Sequence, residues 1–83
     1  MELICNGGGV VIQTSEIQGY ECVSRFGPNA CKHHSSPDFR VDIMIKGQGR
    51  LTIKSKITHQ EGVDLITAIR NANTNNKDSY TIE

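Results

Sequence analysis

From Phe39 to Lys46 a bulky apolar residue recurs at every second position without error. Phe39, Val41, Ile43 and Ile45 share one parity, and Arg40, Asp42, Met44 and Lys46 share the other. A period of two puts each set on one face of a pleated strand, so this stretch is predicted as a strand with one buried face. Gly47-Gln48-Gly49 supplies turn chemistry, and the return run repeats the pattern. Leu51, Ile53 and Ile57 fall on one face, and Arg50, Thr52, Lys54 and Lys56 on the other; only Ser55 weakens the apolar side.

Towards the N-terminus, Glu2 to Cys5 and Val10 to Thr14 are short β-branched and apolar runs around Asn6-Gly7-Gly8-Gly9. These glycines suit a tight hairpin turn. The alternative, a phosphate-cradling loop, requires a following helix, whereas Val10-Val11-Ile12 prefers extended structure. Ile17 to Arg25 reads as a less regular extended segment in which Gly19 marks a bulge or break, with Tyr20 and Cys22 pointing inward. Between Arg25 and Arg40 lies a stretch without a usable period, bounded by Gly27-Pro28-Asn29 and Ser35-Ser36-Pro37-Asp38, both turn chemistry.

Thr58-His59-Gln60-Glu61 fits a capping box and predicts a helix immediately after it. At 100° per residue, Leu65, Ile66, Ala68, Ile69 and Ala72 fall within an arc of roughly 160°, with Thr67, Arg70 and Asn71 opposite. Val63 lies outside that arc, either exposed or against Tyr80 or Ile82. Asn71 to Asn76 is a stop signal, and the tail from Asn73 to Glu83 reads as loose, with Tyr80-Thr81-Ile82 able to add an edge strand. The predicted fold is therefore α+β: an antiparallel sheet of four or five strands packed against a single C-terminal amphipathic helix.

Composition narrows the function classes. The 83 residues make one expected domain, 1–83, and a chain of this size buries only about 60% of its unfolded surface, leaving little room for a deep active site. No run approaches the roughly 20 apolar residues of a membrane helix, and no secretory pattern opens the chain. Three cysteines, an odd number, suit free thiols in a reducing compartment, so a cytoplasmic location is expected. The net charge is zero but uneven. Residues 1–24 carry Glu2, Glu16 and Glu21 and no base, while residues 40–56 carry five cations against Asp42 alone.

Cys22, Cys31, His33 and His34, with Cys5 in reserve, have the composition of a zinc site. Eight residues separate the first two and one separates Cys31 from His33, which is not the two-to-four-residue pairing of structural zinc. A Cys22–Cys31 disulfide would staple the loop but conflicts with the compartment. Cys31 with His33 or His34 lacks the scaffold a nucleophile and base need, and Ser15, Ser35 and Ser36 have no identifiable base. His59 is expected as an exposed first-turn residue. No nucleotide-binding, zinc-protease or calcium-loop pattern occurs, and the expectation is a non-enzymatic chain without a cofactor.

The basic strand face is the better functional lead. Arg40, Lys46, Arg50, Lys54 and Lys56 are predicted to stand on one surface within a Debye length of about 8 Å, with Lys32 of the loop extending it. The function expected is that of a small binding or inhibitor-type protein that docks on an acidic or phosphate-bearing macromolecular surface. By analogy of size alone this is the style of phage-encoded inhibitors of host defence. The alternatives are a nucleic-acid-binding domain using the same lysines, disfavoured by the lack of stacking rings among them, and a zinc-stapled domain. A strand edge, or Val63 with the tail, would permit a homodimer.

Overall fold

The computed structural model describes residues 1–5, 9–25 and 36–82, among which six strands and one helix form. The strands are β1 (Glu2–Cys5), β2 (Val10–Gln13), β3 (Ile17–Ser24), β4 (Phe39–Ile45), β5 (Gly49–Ile57) and β6 (Ser79–Thr81), with α1 (His59–Thr74) between the last two. The α+β class holds, but the strands divide into two three-stranded sheets, ordered β2-β1-β6 and β3-β4-β5, instead of one sheet of four or five. A single 3-10 turn, Thr14–Glu16, carries the chain from the first sheet to the second. The tail does add a strand, and it runs parallel to β1, pairing Glu2 with Ser79 and Ile4 with Thr81. Residues 6–8 of the glycine turn lie outside the described residues, but the β1–β2 pair that flanks them is antiparallel as predicted.

Strand β4 is the centre of the larger sheet, and its parity matches the alternation: Phe39, Val41, Ile43 and Ile45 are all buried. They meet Ile53 and Ile57 of β5, Tyr20 and Cys22 of β3, and Ile69 of the helix in one core that also takes in Leu3, Cys5, Ile12 and Ile82 of the smaller sheet. Gly19 sits at a register shift in β3, and a side chain there would meet Met44 Cε at 2.7 Å. The turn at Gly47-Gln48-Gly49 uses left-handed backbone at both glycines, with φ of 77° and 87°. No described helix is long and apolar enough to cross a membrane.

The β4–β5 hairpin departs from simple alternation. Nine residues of β5 are aligned with seven of β4, so two β5 residues are extra, and the register slips once between Val41 and Asp42 and again between Phe39 and Val41. Each slip turns the β5 side chains by one face; two slips restore Ile57 to the core. Between them the predicted outward set is broken up. Lys56 occupies left-handed backbone at φ 58°, a conformation that costs a residue with a Cβ about 1–2 kcal/mol.

The helix begins where the capping box predicts. Thr58 Oγ1 accepts from the Glu61 amide at 3.2 Å, and Glu61 Oε1 accepts from the Thr58 amide at 3.0 Å. These hydrogen bonds hold the Glu61 carboxyl below the usual carboxylate range, with a smaller contribution from nearby Lys54. A depressed folded pKa means that the carboxylate's stabilisation is present above the ordinary carboxylate pKa and lost as pH falls through the folded value. Thr58→Ala is expected to cost about 1 kcal/mol near neutral pH. In urea melts across pH that gap should shrink only in part in acid, because the Glu61 amide lacks its hydroxyl acceptor at any pH. The gap between Glu61→Ala and wild type should close in acid; a Glu61→Ala gap independent of pH would refute the reciprocal cap.

Helix α1 packs mainly on β3 and β4. Ile69 is fully buried, whereas Val63 is 37% exposed, as its place outside the apolar arc requires. Arg70, predicted to face away, turns its guanidinium over the Tyr20 ring at 5.2 Å from the centroid. At the far end, Thr14 Oγ1 donates to Asn73 Oδ1 at 2.9 Å, tying the 3-10 turn to the last turn of the helix.

Candidate binding surface

The face of the β3-β4-β5 sheet away from the helix carries Glu21 from β3, Arg40, Asp42 and Met44 from β4, and Arg50 and Thr52 from β5. Register puts Glu21, Asp42 and Thr52 in one row across the three strands and Arg50 beside Met44. Asp42, predicted as a lone acid on a solvated basic face, is instead 1% exposed and is the hub of this surface.

Its carboxylate is well satisfied. Thr52 Oγ1 donates to Oδ1 at 2.6 Å, and Arg40 Nε lies 3.3 and 3.2 Å from the two oxygens. Arg50 adds Nη1 at 3.8 Å from Oδ2 and reaches Glu21 Oε2 with Nη2 at 3.0 Å. That last contact is an ion pair and not a hydrogen bond: Glu21 Oε2 is out of reach of solvent and has no aligned donor among the described residues. Two arginines and two acids thus form a charge-balanced quartet. The side chains of Arg40 and Arg50 remain 43% and 51% exposed, so both guanidinium groups are oriented from below and open from above.

The base of the long β3–β4 connection lies beside this quartet. The Arg25 amide donates to the Asp38 carbonyl at 3.2 Å, Arg25 Nε pairs with Asp38 Oδ1 at 3.1 Å, and Ser36 Oγ donates to Asp38 Oδ2 at 2.7 Å. Above this clamp is an open cavity of about 250 Å³ lined by Arg25, Asp38, Phe39, Arg40, Ser55 and Lys56. A larger groove, about 340 Å³, runs between the edges of β5 and β6 against the helix, among Lys54, Ile57, Glu61, Leu65, Tyr80 and Ile82.

The five predicted cations therefore do not stand on one surface. Arg40 and Arg50 converge on Asp42, and Lys56 joins Arg40 at the loop-base cavity. The bulges turn Lys54 to the groove beside Glu61, and Lys46 is exposed at the hairpin end, its amide bonded to the Glu16 carbonyl at 2.9 Å. Lys32 and the candidate ligands Cys31, His33 and His34 lie outside the described residues. Cys22 faces the helix, its thiol 3.8 Å from the His59 carbonyl, and no cluster of metal-ligating side chains occurs among the described residues. Cys5 and Cys22 are free thiols, and burial pushes both above the ordinary range, which lowers their thiolate content at neutral pH. His59 is half-buried, its ring edge-on to Phe39 at 5.3 Å, in place of the exposed position expected.

Sequence reasoning missed Asp42 although a signal was present. Aspartate is depleted in strands, and this one stands between Arg40 and Lys46 as the one acid on the outward parity of the strand that alternates most clearly. Such an acid must be either solvated at an edge or paired; the central position of β4 decides for pairing. No protein-family model matches this chain, and comparisons with curated proteins and with solved structures found no match.

Proposed function

We propose that this chain is a non-catalytic binding domain that docks on an acidic surface of a larger protein through the outer face of the β3-β4-β5 sheet. The observation that carries the reading is the buried Asp42 carboxylate, which holds Arg40 and Arg50 in place while leaving both half-exposed. A buried ion pair is weak support for stability, because an apolar replacement of similar shape usually serves as well or better. What it supplies is orientation. An arginine already fixed loses less side-chain entropy when it meets a carboxylate, and arginine is enriched among the residues that dominate interface energies.

The quartet is neutral, and no aromatic side chain belongs to this face among the described residues. Nucleic-acid binding would draw on net positive charge and stacking rings, so a protein partner is the better fit. The style of action is occlusion, as for an inhibitor, including the phage-encoded kind. The test is cross-linked capture from lysate of the producing cell, with wild type and the Arg40→Ala/Arg50→Ala double variant in parallel. Each truncation of an arginine at the centre of such an interface weakens binding by about 2 kcal/mol, roughly 30-fold. A partner retained equally by both proteins would show that the face is not the interface. Salt-sensitive retention of nucleic acid, lost in the double variant, would replace protein by nucleic acid as the partner.

A further inference from the structure

We infer that the cavity at the base of the β3–β4 loop is an anion subsite that receives one oxyanion group, a carboxylate or a phosphate, projecting from the docked partner. Three cations line it, Arg25, Arg40 and Lys56, against one acid, Asp38, and Ser55 adds a hydroxyl. Asp38 is engaged by Arg25 and Ser36. Arg40 meets Asp42 through Nε, which orients the guanidinium whose fork is suited to a planar or tetrahedral oxyanion.

Lys56 supplies the independent observation. It is brought to the cavity by the second register slip of β5, on left-handed backbone where glycine or asparagine would be at ease. Strain of this kind at a bulge re-aims a side chain, and it persists where the side chain has a use. Lysine here adds a positive charge at a cavity whose two arginines are already met by Asp38 and Asp42, so the charge that an entering anion would balance is that of Lys56.

The inference rests on the docking reading, and its test separates the two. Inorganic phosphate and acetate are titrated separately into the intact protein at constant ionic strength, and the amide resonances of Arg40, Ser55 and Lys56 are followed by NMR. Wild type should show saturable shifts at these amides. Lys56→Gly and Lys56→Asn, which suit the backbone, should unfold at higher urea than wild type yet bind the anion at least tenfold more weakly. Saturation by phosphate alone assigns a phosphorylated group, and saturation by acetate assigns a carboxylate. Unsaturable shifts with both ions, or equal affinity in the two variants, would overturn the subsite. If Lys56→Gly captures the partner as wild type does while Arg50→Ala does not, the docking face stands and the subsite alone falls.

Discussion

Alanine at Gly62 is expected to lower the free energy of unfolding by about 2 kcal/mol, although the same change within an exposed helix gains up to about 1 kcal/mol. The reason is the distance at which α1 lies on the sheet. Gly62 is buried in the first turn, and a Cβ built there would overlap Cys22 Sγ of β3 and stand 3.3 Å from Val41 Cγ2 of β4. Val41, fully buried in the central strand, cannot withdraw, and the half-buried Cys22 thiol already rests against the His59 carbonyl of the helix at 3.8 Å. Overpacking of a core by a methyl-sized group costs about 1–3 kcal/mol, more than the helix propensity returns. The partner of the clash is specific, so the remedy is too. Cys22→Ala removes Sγ, and the double variant should recover more than half of the loss, a coupling of about 1–2 kcal/mol in a double-mutant cycle. Urea melts of the four proteins measure it. A Gly62→Ala variant as stable as wild type, or more so, would mean that the helix does not approach the sheet this closely.

Asp42→Ala should cost about 2–3 kcal/mol and should also weaken partner binding. Removing one member of a fully buried ion pair costs about 3–5 kcal/mol because the other charge is stranded. Here the arginines are about half exposed and can turn to water, which reduces the penalty. The loss of the Thr52 hydrogen bond and the vacancy beneath the face account for much of what remains. Once released, Arg40 and Arg50 regain rotamer freedom that a partner must remove again, so affinity falls even though neither arginine has changed. Thr52→Val, which keeps volume and deletes only the hydroxyl, should cost less than Asp42→Ala in stability and leave most of the affinity. Unchanged stability in Asp42→Ala would show that the carboxylate is not the organising group of the surface.

Much of the larger sheet was legible in the sequence because its signals are local. The parity of Phe39, Val41, Ile43 and Ile45 needs no partner to be read, and the Thr58 to Glu61 box marks its helix within four residues. Gly19 was legible as a break for the same reason: a glycine inside a strand weakens it and tends to mark a bulge or a close approach. The two slips in β5 were not. Leu51, Ile53 and Ile57 keep one parity whether the strand is regular or doubly bulged, since two slips cancel at the end of the strand. What the cancellation hides is the position of Lys54 and Lys56, and with it the difference between one basic face and four separate charge environments.

Long-range features were hidden more deeply. That β6 runs parallel to β1, and that the strands form two sheets, depends on where α1 delivers the chain, which no window around Tyr80 reports. Gly62 read as an ordinary helix residue, because its reason for being glycine is Cys22, forty positions earlier. Asp42 was visible as an exception but not as a hub, since its partners Arg50 and Thr52 come from the neighbouring strand, in the regular part of the hairpin nearest the turn, where the pairing depends on the exact turn length.

The most direct test of the docking account is quantitative binding of the captured protein to three forms of this chain: wild type, Arg40→Ala/Arg50→Ala, and Lys46→Ala as a control for loss of charge away from the quartet. The account predicts that the double variant binds at least 100-fold more weakly while Lys46→Ala stays within about threefold of wild type. Equal weakening by both would reduce the interaction to net charge, and unchanged binding by the double variant would contradict the claim that the Asp42-oriented arginines form the interface.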